Sequence, residues 1–334
     1  MKRNYGLDLL KAVCAFLVIC IHSPFPGMAG ATVTPLTRIA VPLFFMITGY
    51  YYSRTKERGR ETKQIKKILL LLLFSNLLYL LWDVWKLFLR RESIAAYFGK
   101  VFSGTSLVKF ALFNISPFSI HLWYLGAILY TLLIVFLFEK KWDRRRLYPL
   151  IPVLLLADIV FGKYSLLIFG RSLPYYYVRN FLCVGLPYFL LGDLLYRREI
   201  KAAPGTSLVL MLVFACTSLA ERFLLGHFQL NGERDHYIST TFYAVFAFLL
   251  AVHYETKSSR GWLKPLYRIG SELSKDIYIL HPIFIVAMHT IIKFISRYIP
   301  LENIYAYAAP FIIFALSAIA AWILRAVTRK IKQT

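Results

Sequence analysis

The chain has 334 residues, 58% of them hydrophobic and 17% aromatic, with only 17% charged and a mean hydropathy of +0.58. A soluble protein carries more charge and spaces its apolar residues at helix or strand periods, whereas these apolar runs are long and nearly continuous. The formal charge of +23 comes with no nucleic-acid-binding motif, so it reads as loop charge facing anionic lipid headgroups, and nucleic acid is excluded as a partner.

Ten apolar segments are predicted as membrane helices, beginning with Leu7–Phe25, Leu36–Tyr52 and Ile68–Leu89. They continue with His121–Phe138, Leu147–Phe161, Phe181–Tyr196, Ser207–Leu225 and Ile238–Tyr254, and end with Ile277–Phe294 and Ile304–Leu324. Most approach the length a bilayer needs, and the fifth and sixth are short. Helix-length runs between charged loops favour an all-α polytopic membrane bundle over a β-barrel. The stretch Val101–Phe113, too short to span, is predicted to be an interfacial or re-entrant helix, with Gly104-Thr105-Ser106 as its turn and cap.

Basic residues set the orientation. Lys2–Arg3, Arg54–Lys67, Lys140–Arg146, Arg197–Lys201, Lys257–Lys275 and Arg325–Lys332 carry most of the 40 Lys and Arg. Placing them inside gives about ten spans with both termini cytoplasmic. The whole of 1–334 reads as one membrane domain with no soluble domain appended. The N-terminal segment is read as a retained first helix, not a cleaved signal peptide. Cys14, Cys20, Cys183 and Cys216 lie in apolar runs with no metal-ligand spacing, so they read as core residues and no metal is expected.

The first segment holds the chemistry. Lys11 and His22 are eleven residues apart, about 1100° of helix rotation, so they share one face and stand about 16 Å apart along the axis. Ionisable groups in a spanning helix are costly and point to function. His22 can act as a general base or be a structural histidine; Lys11 can hold an anion or snorkel to headgroups, and Asp8 one turn earlier can pair with it. Arg38, at the outer end of the second segment, can bind oxyanions or hydroxyls or anchor in headgroups. Pro42 frees a carbonyl, and Thr48-Gly49 permits close helix approach. His121 precedes Trp123 and Tyr124 and reads as an aromatic belt or a substrate-cavity residue; Arg179 can contact an acceptor or oxyanion. His281, before Pro282, reads as a capping histidine near the start of the ninth span. Asp83, Asp158, Asp193 and Glu221-Arg222 read as structural polar contacts. With no GxSxG, HExxH, P-loop or GxGxxG motif, serine-hydrolase, zinc-protease, NTPase and Rossmann mechanisms have no foothold.

The run Gly6-Leu7-Asp8-Leu9-Leu10-Lys11, ten residues, then His22 resembles the first-helix signature of the acyltransferase-3 family of integral membrane acyltransferases. The resemblance continues through Val41–Tyr50, His121–Leu125, Arg179–Phe181, Gly185–Gly192 and Ser274–Pro282. The second-helix and His121 motifs are most similar to the membrane domain of vancomycin-resistance serine racemases, without the racemase domain.

The resemblance implies an acyl-CoA-dependent O-acyltransferase of a bacterial cytoplasmic membrane. It would carry an acyl group, usually acetyl, from cytoplasmic acyl-CoA to a hydroxyl of an extracytoplasmic or lipid-linked glycan. A pantetheine arm of about 15 Å matches the Lys11–His22 spacing. In this reading Lys11 holds the donor, His22 deprotonates the acceptor or carries the acyl group transiently, and Arg38, His121 and Arg179 bind the acceptor. Membrane lipid and the glycan are the partners, and acyl-CoA is a co-substrate. The racemase-like motifs imply an alternative, a permease for a small polar solute such as L-serine.

Overall fold

The computed structural model describes residues 4–231, 235–254 and 261–331. Lys2, Arg3, Lys257, Arg260 and Lys332, which enter the charge-based orientation, lie outside the described residues. Among the described residues the regular structure is all helical, with no strand. Its internal contacts divide it into two compact units, Met1–Phe44 with Lys201–Gln229 and Asp235–Thr334, and Phe45–Ile200 with Leu230–Arg234.

In the first unit, α1 (Tyr5–His22) starts where the Asn4 side chain accepts from the Leu7 N–H at 2.8 Å, and Asp8 sits in the favourable first turn. It stops at Ser23, ahead of Pro24 and Pro26. Gly27, with a φ of +55° that glycine adopts without strain, opens α2 (Gly27–Thr37). The predicted segments leave 26–35 between them as a connection, but its small residues make a helix. The next helix, α3 (Ala40–Lys56), therefore starts later than predicted. Pro42 falls in its first turn, where a missing N–H costs nothing, so it frees no mid-helix carbonyl.

The second unit holds the rest of α3 and α4 (Glu61–Arg90), α5 (Ile94–Val101), α6 (Gly104–Phe113) and α7 (Trp123–Phe138). Then come α8 (Leu150–Phe161), α9 (Ser165–Phe169) and α10 (Leu186–Arg197). Thirty residues make α4 about 45 Å long. Leu70, Leu73, Phe74, Leu77 and Leu81 are all more than half exposed along it, which is stable only against hydrocarbon. The predicted short helix exists as α6, but Ser103 caps it, accepting from Ser106 N–H at 3.3 Å, not the Gly-Thr-Ser run. Gly49 lets α3 and α10 touch: a Cβ there would lie 1.9 Å from the Phe189 carbonyl oxygen. The expected close approach at Thr48-Gly49 is therefore real.

The chain returns to the first unit with α11 (Pro204–His227), α12 (Ile238–His253), α13 (Lys264–Arg268), α14 (Ser274–Ile295) and α15 (Glu302–Ile331). A wide π turn, Ile269–Leu273, joins α13 to α14. Here α1 is the central helix, touching α2, α12, α13, α14 and α15.

Seven helical stretches among the described residues are long and apolar enough to cross a membrane: Tyr5–His22, Gly27–Lys56, Glu61–Arg90, Ile120–Phe138, Pro204–His227, Gly261–Ile295 and Glu302–Ile331. The protein is a multi-pass membrane protein. The other three predicted segments fall on shorter helices, α8, α10 and α12. At twelve residues, α8 reaches only about 18 Å, whereas α10 continues a π turn, Phe181–Gly185, in one helical stretch from Phe181 to Arg197, about 25 Å. Cys14, Cys20 and Cys183 are buried as expected, while Cys216 is exposed on α11.

Candidate active site

The site is built on two helices of the first unit that run side by side in the same direction, α1 and the α13–α14 stretch. Four contacts in order fix their register. The Tyr5 and Tyr267 rings lie 5.1 Å apart. Next, Gly270 in the π turn presses against Asp8, and a Cβ there would stand 1.7 Å from the Asp8 carbonyl oxygen. Ala15 and Ile19 then pack in one buried cluster with Leu273 of the π turn, Ile277 of α14, and Ala309 and Ile313 of α15. Finally the rings of His22 and His281 meet, 5.1 Å between centroids and tilted by 41°.

Lys11 stands one turn from the Asp8–Gly270 contact, its ammonium 3.4 Å from the buried Asp8 carboxylate and its side chain 22% exposed. The expected pairing is present. His22 is half-buried in the last turn of α1. Between them Ala15 and Ile19 are packed solid against α14 and α15, which closes that flank of the stripe. On another side of α1, a cavity of about 490 Å³ is lined by Gly6, Leu9, Leu10 and Val13 together with Met211 and Ala247. Its apolar lining suits hydrocarbon.

His281 is fully buried, with Nδ1 3.3 Å from the Ile277 carbonyl oxygen. A carbonyl only accepts, so Nδ1 is the donor in this contact. Sequence reasoning placed this histidine near the start of a span at Ile277, as a cap. The helical stretch in fact begins at Gly261, and from Lys264 to His281 is about 25 Å of helix. That depth matches Tyr5 to His22 on α1. The available signal was helical continuity through Ile269–Leu273, which a search for purely apolar runs passes over.

Arg38 sits at the C-terminal end of α2, donating to the Asp235 carboxylate at 2.6 Å. Nearby, Glu221 of α11 accepts the backbone N–H groups of Ile238 at 2.9 Å and Ser239 at 3.0 Å, capping α12. Its structural reading holds.

The second unit contains the other two candidates. His121 is buried, its Nδ1 2.7 Å from the Ser119 hydroxyl and its ring 4.9 Å from Tyr79 of α4. Arg179 is half-buried, its guanidinium 5.3 Å from the centre of the Tyr175 ring. Lys11, His22 and Arg38 thus belong to one unit, and His121 and Arg179 to the other.

That second unit also holds a polar centre the sequence did not reveal. Arg144, counted there as loop charge, is fully buried and grips Asp193 with two bonds, 2.8 and 2.9 Å. It also donates to Glu139 and to the Ser53 hydroxyl, while the Tyr148 hydroxyl donates to Asp193 at 2.7 Å. Burial opposes the Arg144 charge, but the Asp193 and Glu139 carboxylates outweigh it and raise the guanidinium pKa, so the residue stays charged. Every strong donor and acceptor here has a partner within the unit, which makes the centre structural. Asp193 is therefore the polar contact expected of it, as is Asp83, which accepts from Tyr97 at 2.7 Å.

A family model described as an acyltransferase domain matches residues 4–326. Over 326 residues the chain is 27% identical to a protein of Enterococcus faecalis named amino-acid racemase, covering 90% of this chain and 43% of that protein. Over 325 residues it is 26% identical to a serine/alanine racemase of Enterococcus gallinarum, covering 88% of this chain and 43% of that protein. The chain therefore spans less than half the length of these curated relatives. No solved structure matches it.

Proposed function

This chain belongs to the acyltransferase-3 family of membrane acyltransferases, and from that premise we propose that it moves an acyl group, acetyl by family default, from acyl-CoA to a sugar hydroxyl. The acceptor is an extracytoplasmic or lipid-linked glycan, and the setting is a bacterial cytoplasmic membrane. In this reading about ten helices cross the bilayer, the shorter α8, α10 and α12 among them, and both termini face the cytoplasm.

The observation that carries the proposal is the position of His22, half-buried at the end of the central helix α1, on the stripe that bears Lys11 near the other end. His22 takes the proton of the acceptor hydroxyl as its oxygen attacks the thioester carbonyl. The new C–O bond forms, the C–S bond breaks, and the proton passes to the departing thiolate to give free CoA. Alternatively an imidazole nitrogen of His22 attacks the thioester carbonyl, so that the N–C bond forms, the C–S bond breaks and CoA thiolate leaves. The acceptor oxygen then attacks this carbonyl, the C–O bond forms as the N–C bond breaks, and the hydroxyl proton passes to the thiolate. Lys11, its ammonium anchored by Asp8, holds a phosphate or the pantetheine region of the donor as a point charge. Arg38 in the first unit, and His121 and Arg179 in the second, are assigned to the acceptor.

The test uses the purified protein in proteoliposomes with labelled acetyl-CoA and an acceptor glycan. Transfer of label with release of free CoA, abolished by His22→Ala in protein that still inserts, supports the reading. Wild-type transfer by His22→Ala overturns the catalytic assignment.

A second reading draws on the serine/alanine racemase named above: a permease for a small polar solute such as L-serine, with His22, Arg38 and His121 lining its path. Accumulation of labelled serine without acyl-CoA would favour it, and CoA release on adding acceptor would exclude it.

A further inference from the structure

We propose that His281 is the positioning residue for His22, fixing the orientation of its ring so that the two imidazoles work as one unit. The inference rests on the acyl-transfer reading of the His22 site.

The His281 ring cannot easily move. It is fully buried, its Nδ1–H is tied to the Ile277 carbonyl, and the Tyr278 ring stands 6.1 Å away. Its helix is locked against α1 below by the Leu273 and Ile277 packing and by the Asp8–Gly270 contact. Close-packed cores of this kind hold side chains in single rotamers. His22 is half-buried in the last turn of α1. Its ring meets His281 at 5.1 Å and 41°, within the range of a specific aromatic contact.

A leucine would fill the His281 position without the cost of burying a polar ring. What the imidazole adds is a flat ring with polar edges, held against the His22 ring. A reacting group held in one orientation gains rate without gaining substrate affinity, and a misplacement of about 1 Å costs on the order of 100-fold. His281 therefore acts on turnover through His22, not on substrate binding.

The test compares His281→Leu and His281→Gln in the full-length protein, with two readouts. The first is steady-state transfer from acetyl-CoA. The expected result is a kcat lowered about 10- to 100-fold in His281→Leu with KM for both substrates little changed, and partial recovery in His281→Gln, whose amide reaches the Nε2 position. The second readout needs no acyl transfer: carbethoxylation of His22 by diethyl pyrocarbonate, followed by mass spectrometry against the exposed His227. The His22 rate relative to His227 should shift several-fold in His281→Leu and return toward wild type in His281→Gln. Unchanged kcat and unchanged His22 reactivity in His281→Leu overturn the proposal. So do a change in KM alone, equal impairment by Leu and Gln, or the failure of both to fold, which would make the ring a purely structural element. If wild-type protein transfers no acyl group, the function proposed above fails, while the His22 reactivity still decides the positioning role.

Discussion

Gly270 and Asp8 touch backbone to backbone: the Asp8 carbonyl oxygen occupies the space a Cβ at position 270 would need, 1.7 Å away. This contact sets the height of α14 against α1, and so determines which α14 residue meets His22. The π turn at Ile269–Leu273 widens the helix at this point, a distortion found often at functional sites. Gly270→Ala should force the helices apart and cost about 1–3 kcal/mol or more. The midpoint of detergent thermal unfolding should fall by several degrees, with transfer activity lost alongside. Gly205→Ala, at a helical position where a Cβ meets nothing within 4 Å, is the control and should leave both unchanged.

His22→Ala should remove transfer by at least about 100-fold, the usual worth of an acid–base group, without lowering membrane abundance. The half-buried ring is not part of the Ala15–Ile19 packing that holds α1, so its loss should leave the fold intact. Quantifying the protein in isolated membranes beside labelled product separates the two effects. An equal fall in abundance and activity would make His22 a structural residue.

Lys11→Ala should raise the KM for acetyl-CoA, by roughly tenfold for a lost charge-assisted contact, and lower kcat less. Lys11→Arg should keep part of the affinity, because the charge remains while the geometry changes. A lysine that only snorkels to headgroups would show neither effect. Initial rates over a range of acetyl-CoA concentrations, with acceptor fixed, decide between them.

Much of this arrangement is legible in the sequence because membrane helices announce themselves by long apolar runs. Lys11 and His22 stand out because a charged or polar group in such a run is costly. The Asp8–Lys11 pairing follows from helix spacing alone. Three features were hidden, each for a physical reason. The helix α2 is made of small residues with little apolar signal, so Gly27–Thr37 reads as a loop. The α13–α14 stretch begins in a polar segment, Lys264–Arg268, so an apolar-run search starts it too late and places His281 at the wrong depth. Arg144 lies among four other basic residues between Lys140 and Arg146, and only the fold shows that it alone turns inward. A partner on another helix, Asp193 in this case, leaves no trace in local spacing.

The Arg144–Asp193 centre supplies the last prediction. Both side chains are fully buried, and the guanidinium is bound at two points by one carboxylate. Removing one partner of such a pair strands the other charge, at a cost of about 3–5 kcal/mol. Asp193→Ala should therefore sharply destabilise the protein, even though Glu139 and Ser53 still bind Arg144. Asp193→Asn keeps the shape and loses the charge, so it should fall between wild type and alanine. The double variant Arg144→Met with Asp193→Leu removes both charges and fills the space. It should recover much of the loss, because a buried ion pair is worth little against well-packed apolar side chains. Thermal unfolding of the four proteins in one detergent tests the ordering. If Asp193→Ala unfolds at the wild-type temperature, the centre does not hold its unit together.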